Sequence, residues 1–84
     1  MRLNKRFTKA FGDEIYYARK EMKYTQEQVA EFADISHRWY QALESGKRCP
    51  GGDILLKLIF VLHIDIAVFQ KPLGVEAEDS EKTP

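Results

Sequence analysis

Between Thr25 and Gly46 two short amphipathic segments are joined by a turn of only a few residues, and this leaves the chain few ways to fold. Thr25 has the character of a helix N-cap, and Gln28 three residues on completes a capping box. Val29, Ala30 and Ala33 then form an inner helical face, with Phe32 at its edge. Asp34 stands where the chain must accept a positive φ, which Asp and Asn adopt more readily than most residues. Ile35 supplies an apolar plug, and Ser36 caps the next helix, which runs to about Glu44. Tyr40 and Leu43 face inward, while Ser36, His37, Arg38 and Gln41 face outward with Ala42 beside them. Ala30 is small enough for the two helices to cross closely. Gly46 ends the unit, since glycine takes the left-handed conformation common after a helix.

Helical periodicity governs the flanks as well. Phe7, Phe11, Ile15, Ala18 and Met22 recur at spacings of three and four, while Lys9, Asp13, Glu14, Lys20 and Lys23 fall mostly on the opposite face. Lys47-Arg48-Cys49-Pro50-Gly51-Gly52 is a loop. A fourth helix is predicted from about Asp53 to Leu62, with Leu55, Leu58, Ile59 and Leu62 on one face. After a turn at His63-Ile64, Asp65 caps a short fifth helix reaching about Gln70, with Ile66 inward. No strand pattern and no internal repeat is present. The fold class expected is all-α, a compact five-helix domain over residues 8–71. A basic arm (1–7) precedes it, and an acidic tail (72–84), nearly devoid of apolar residues beyond Val75, is expected to be disordered.

A chain of 84 residues buries only about 60% of its unfolded surface, so it needs an efficient core and has reason to seek a partner subunit. The greasy run from Ile54 to Phe69 is interrupted by Lys57, His63 and Asp65 and is too short to span a bilayer. No apolar signal stretch follows the basic start. Cys49, the one cysteine, excludes an internal disulfide and suits a reducing compartment, so a cytoplasmic protein is expected. No metal cluster, nucleotide loop or catalytic constellation is visible. No cofactor is therefore expected, and the chain is not read as an enzyme. Net charge is zero, yet residues 1–24 carry a balance of +4 and residues 51–84 one of −3. A local basic face can thus coexist with a neutral total, and it is the local face that attracts phosphate.

The stretch Thr25-Gln26-Glu27-Gln28-Val29-Ala30, followed by Ile35-Ser36, Leu43 to Pro50 and Leu55-Leu56-Lys57, resembles the phage-repressor and Cro type of helix-turn-helix domain, also called the xenobiotic-response-element family. The similarity covers roughly residues 8–70. It implies a double-stranded DNA-binding transcriptional regulator whose third helix enters the major groove. It also implies base contacts from His37, Arg38, Gln41 and Ala42, and backbone contacts from Gln26, Ser36, Ser45, Lys47 and Arg48. Arg38 is the leading candidate, because a guanidinium can grip guanine O6 and N7 with two bonds. Arg19 and Glu44 match a structural ion pair of the family, and breaking a buried pair by removing one member costs ~3–5 kcal/mol. Two positions depart from the family pattern. Asp34 replaces a turn glycine, and Tyr40 replaces a Val or Ile. A phenol needs space and a hydrogen-bond partner, which predicts a recognition helix set further out or rotated.

Ile54, Phe60, Ala67 and Val68 are apolar where the family is usually polar, which predicts an exposed patch and a two-fold homodimer joined through helices four and five. Such a dimer would bind a palindromic operator as a repressor. The rival is a protein-interaction module, antitoxin-like or adaptor, whose main partner is another protein. The basic arm is either a solubilising end or a contact to phosphate or an adjacent minor groove. Trp39 and Tyr40 read as packing residues rather than as a stacking platform for single strands, and His63 reads as a turn residue.

Overall fold

The computed structural model describes residues 5–75. Five α-helices follow in order: α1 (Lys5–Met22), α2 (Gln26–Ala33), α3 (His37–Glu44), α4 (Gly52–Leu62) and α5 (Gln70–Leu73), with a 3-10 turn at Ile66–Phe69 before the last. No strand occurs among the described residues, and no helix there is long and apolar enough to cross a membrane. Most of the acidic tail lies outside the described residues.

α1 is the support on which the rest is laid. Its stripe of Phe7, Phe11 and Ile15 is buried, as are Val29, Ala30 and Ala33 of α2, Tyr40 and Leu43 of α3, and Leu58, Ile59 and Leu62 of α4. Phe7, Phe11 and Phe69 form an aromatic triangle with centroids 5.4–5.8 Å apart, which closes the end of the core away from the α2–α3 corner. At the joint after α2, Asp34 is left-handed (φ 60, ψ 46) and donates its N–H to Ala30 and Glu31, while Ile35 packs against the core. Lys23 and His63 occupy the same left-handed region at φ 62 and 56, ending α1 and α4. Lys57 Nζ donates to the Ala33 carbonyl (3.3 Å), a cation at the negative end of α2.

Four expectations are corrected. The basic arm does not extend to residue 7: α1 already includes Lys5, Phe7 is in the core, and Arg6 donates to the Lys71 carbonyl (3.3 Å) at the other end of the chain. The tail does not begin at residue 72, because Pro72 and Leu73 belong to α5, which Gly74 ends at φ 82. Ile66 is 61% exposed, and Phe69 fills the core position in its place. The 3-10 turn puts Ile66 and Phe69 on one side, so only the deeper of the two is covered. Ile54 is partly buried against the core, continuing the stripe that runs through Leu58 and Val61. It therefore does not belong to an exposed patch.

One close approach sets the height of α3 on α1. A Cβ on Gly12 would stand 2.8 Å from the carbonyl oxygens of both Leu43 and Glu44 and 3.1 Å from Gly46 N. All three are backbone atoms that cannot turn aside. Gly12→Ala is therefore expected to destabilise the domain by about 1–3 kcal/mol through overpacking, read as a lower urea midpoint at unchanged slope.

Candidate nucleic-acid interface

Glu44, the last residue of α3, is buried in its side chain and receives four hydrogen bonds. Arg19 Nε donates to Oε2 (2.7 Å) and an Arg19 terminal nitrogen to Oε1 (3.1 Å). Gln26 Nε2 donates to Oε1 (2.6 Å), and Tyr40 Oη to Oε2 (2.7 Å). Arg19 also donates to the Tyr24 carbonyl (3.0 Å), so one guanidinium holds both the α1–α2 joint and the end of α3. Burial by itself pushes the Glu44 carboxyl up, but donors from Arg19, Tyr40 and Gln26 together outweigh it and hold the group below the usual carboxylate value. Arg19 is raised, chiefly by its hydrogen bond to Glu44. Burial, reinforced by the Glu44 hydrogen bond, drives the Tyr40 hydroxyl far above its ordinary value, which keeps it a donor.

This cluster answers the demand Tyr40 makes. The phenol is fully buried and finds its partner one turn on in its own helix. Tyr40 does not wedge α2 and α3 apart, for Val29, Ala30, Ala33 and Leu43 are buried beside it.

On the outer side of α3, Ser36 caps the helix by accepting from Trp39 N (3.0 Å). Arg38 is exposed and makes no hydrogen bond or ion pair with the described residues. Gln41 is exposed and donates through Nε2 to Gln26 Oε1 (3.2 Å). His37 is half-buried, its Nε2 3.4 Å from Gln26 Oε1 and its Nδ1 3.6 Å from Glu27 Oε2. Ala42 is half-buried, and its carbonyl accepts from Ser45 Oγ and from Lys47 N, each at 3.0 Å. Lys47 and Arg48 are exposed in the loop after α3, with the Arg48 guanidinium 6.0 Å from the Trp39 ring centroid.

Residues 15–69 match the family model for helix-turn-helix domains. The chain belongs to the Cro/CI-type helix-turn-helix family. As a member it is a DNA-binding regulator, and α2 and α3 are its helix-turn-helix. No curated protein and no solved structure matches the chain.

Within this helix-turn-helix, Ser36, Arg38 and Gln41 are exposed at or on α3, Lys47 and Arg48 are exposed in the loop after it, and Gln26 brings Gln41 and His37 together. The Gln26 side chain is turned inward onto Glu44 rather than outward to a phosphate, because a carboxylate with a spare lone pair is within reach. Lys20 and Lys23 were not singled out from the sequence. They border a shallow groove with Thr25, Gln26 and His37 at the start of α2. Lys23 sits at the positive-φ joint that ends α1.

Removing one donor tests the cluster without leaving the guanidinium unpaired. Tyr40→Phe should cost about 1.5–3 kcal/mol, the usual range for a hydrogen bond to a charged group. Glu44 is depressed in the folded state, so its contribution is complete above the ordinary carboxylate value and vanishes as pH falls through the lower folded value. Urea unfolding should therefore show stability falling below about pH 4, with a flatter acid limb in Glu44→Gln.

Proposed function

We propose that this helix-turn-helix domain is a sequence-specific repressor, which occludes a promoter by laying α3 in the major groove of double-stranded DNA. The observation that carries the reading is Arg38: an exposed guanidinium, without a partner among the described residues, near the start of a helix whose far end is pinned by Glu44. His37, Gln41 and Ala42 complete the base-facing set. Ser36, Ser45, Lys47, Arg48 and the amide end of α2 at Gln26 hold the phosphates on either side. The domain acts in the cytoplasm and performs no chemistry. Selection of bound oligonucleotides from a random pool tests the reading, and a random output would refute it. On the selected site, Arg38→Ala should cost ~1–3 kcal/mol and relax one base position. Lys47→Ala should weaken all sequences alike and flatten the salt dependence by about one unit. Equal losses on selected and random DNA for both variants would contradict this division.

The regulator acts as a two-fold homodimer on a palindromic operator. Phe60 (71% exposed) supports the dimer, with Leu56 and Ile66 lining the same groove, and Ala67 and Val68 (40%) are exposed in the turn that follows α4. Pairing there sets two recognition helices about 34 Å apart, one turn of DNA. Sedimentation should show a dimer that Phe60→Asp converts to monomer with its fold intact. A monomer in the unaltered protein at micromolar concentration would remove the dimer. The same apolar surface favours the second reading, an antitoxin-like or adaptor subunit. A co-purifying protein together with failure to bind DNA at low salt would select it.

A further inference from the structure

We propose that the cleft between α4 and the segment formed by the 3-10 turn and α5 is filled by Phe60 of a second copy of this chain, in a reciprocal exchange about a two-fold axis. The proposal rests on the homodimer reading above and names the contact that holds that dimer together.

Two outward stripes of α4 meet different surroundings. Leu55 and Ile59, with Ile66 and Leu73 across from them, wall a cleft of about 440 Å³ whose floor is Phe7 and Phe69. Gln70 is the one polar side chain lining it among the described residues, and no charged side chain does. A held water needs several polar partners and a buried ion needs a counter-charge, so the cleft suits neither. The second stripe, Leu56 and Phe60, borders a separate groove with His63, Ile64 and Asp65. Phe60 is 71% exposed there and does not line the cleft of its own chain.

Ile59 and Ile66 line both depressions, so a knob and a hole stand side by side with those two residues between them. An isologous interface joins the same patch on both subunits, and a two-fold axis passing Ile66 carries each Phe60 to the other copy's cleft. The room is sufficient. An apolar cavity of about 150 Å³ accepts benzene, so 440 Å³ takes the Phe60 ring together with Leu56 one turn before it. The area is sufficient as well. Leu56, Phe60, Ile66, Leu73 and Val75 are 41–71% exposed and together offer on the order of 500 Å². A stable interface buries about 800 Å² a side, roughly two-thirds of it apolar in homodimers, which is what this patch and a polar rim would supply. A ring seated in an apolar pocket and surrounded by lesser contacts is also the arrangement in which one side chain dominates affinity.

Sedimentation equilibrium of the full chain tests the exchange with Phe60→Lys and Leu73→Glu, apart and mixed. Both positions are exposed in the single chain, so circular dichroism and the urea midpoint should stay close to those of the unaltered protein. Val75→Glu, which also lines the cleft, takes the place of Leu73→Glu if the latter unfolds. Each variant alone should raise the dissociation constant about a hundredfold or more, since the dimer carries every substitution twice. Tyr17→Lys, at an equally exposed aromatic on α1, should leave the dimer unchanged. Mixed in equal amounts, Phe60→Lys and Leu73→Glu should form a heterodimer, in which one native contact is kept and the introduced ammonium meets the introduced carboxylate at the other. A dimer that survives Leu73→Glu, or two monomeric variants that do not pair on mixing, overturns the exchange and leaves the two-fold reading standing. A monomer in the unaltered protein at micromolar concentration removes both. A different protein or a small apolar molecule that leaves a monomeric chain when Leu73→Glu is introduced assigns the cleft to that occupant and overturns the proposal too.

Discussion

A single saturated carboxylate decides where α3 lies. Glu44 accepts from Arg19 twice, from Gln26 and from Tyr40, which uses its four lone-pair directions on residues from α1, α2 and α3. Taking two ions out of water costs several kcal/mol each, so the arrangement adds little net stability over a well-packed apolar one. What it adds is uniqueness. Any rotation or slide of α3 leaves a buried charge short of donors, a penalty larger than most packing adjustments recover. No buried side-chain nitrogen or oxygen among the described residues is left without a partner.

The same carboxylate reaches the surface through Gln26. An amide whose nitrogen is fixed inside presents its oxygen outside, and Gln41 and His37 arrange themselves around that oxygen. The side chains on this part of α3 are thus partly ordered in the free protein, and prior ordering of this kind lowers the side-chain entropy lost in any binding event. Arg38 has no such tether among the described residues.

Much of this was legible in the sequence because it is encoded locally. Thr25 with Gln28, Asp34 with Ile35, and Ser36 are short-range signals, and the structure has each cap bond and the left-handed turn at those residues. The buried faces of α1 and α2 follow equally from periodicity. What was not legible depends on distant neighbours. Gly12 looks like any helical glycine until the end of α3 is seen against it. Ile66 was read as inward, but the 3-10 turn places Phe69 on the same side and deeper, against Phe7 and Phe11, which periodicity alone does not reveal. Ile54 is drawn inward by a stripe that α4, apolar around most of its circumference, offers in more than one register. Gln26 was assigned outward because its inward partner lies eighteen residues away in sequence.

Three of the helix ends turn on side-chain-bearing residues held left-handed: Lys23, Asp34 and His63. Each stores a modest strain that glycine would relieve, at the expense of a looser unfolded chain. The corners of this small protein are accordingly its adjustable hinges of durability. Heat resistance could be tuned at the α4 exit, His63, which lies far along the chain from α2 and α3.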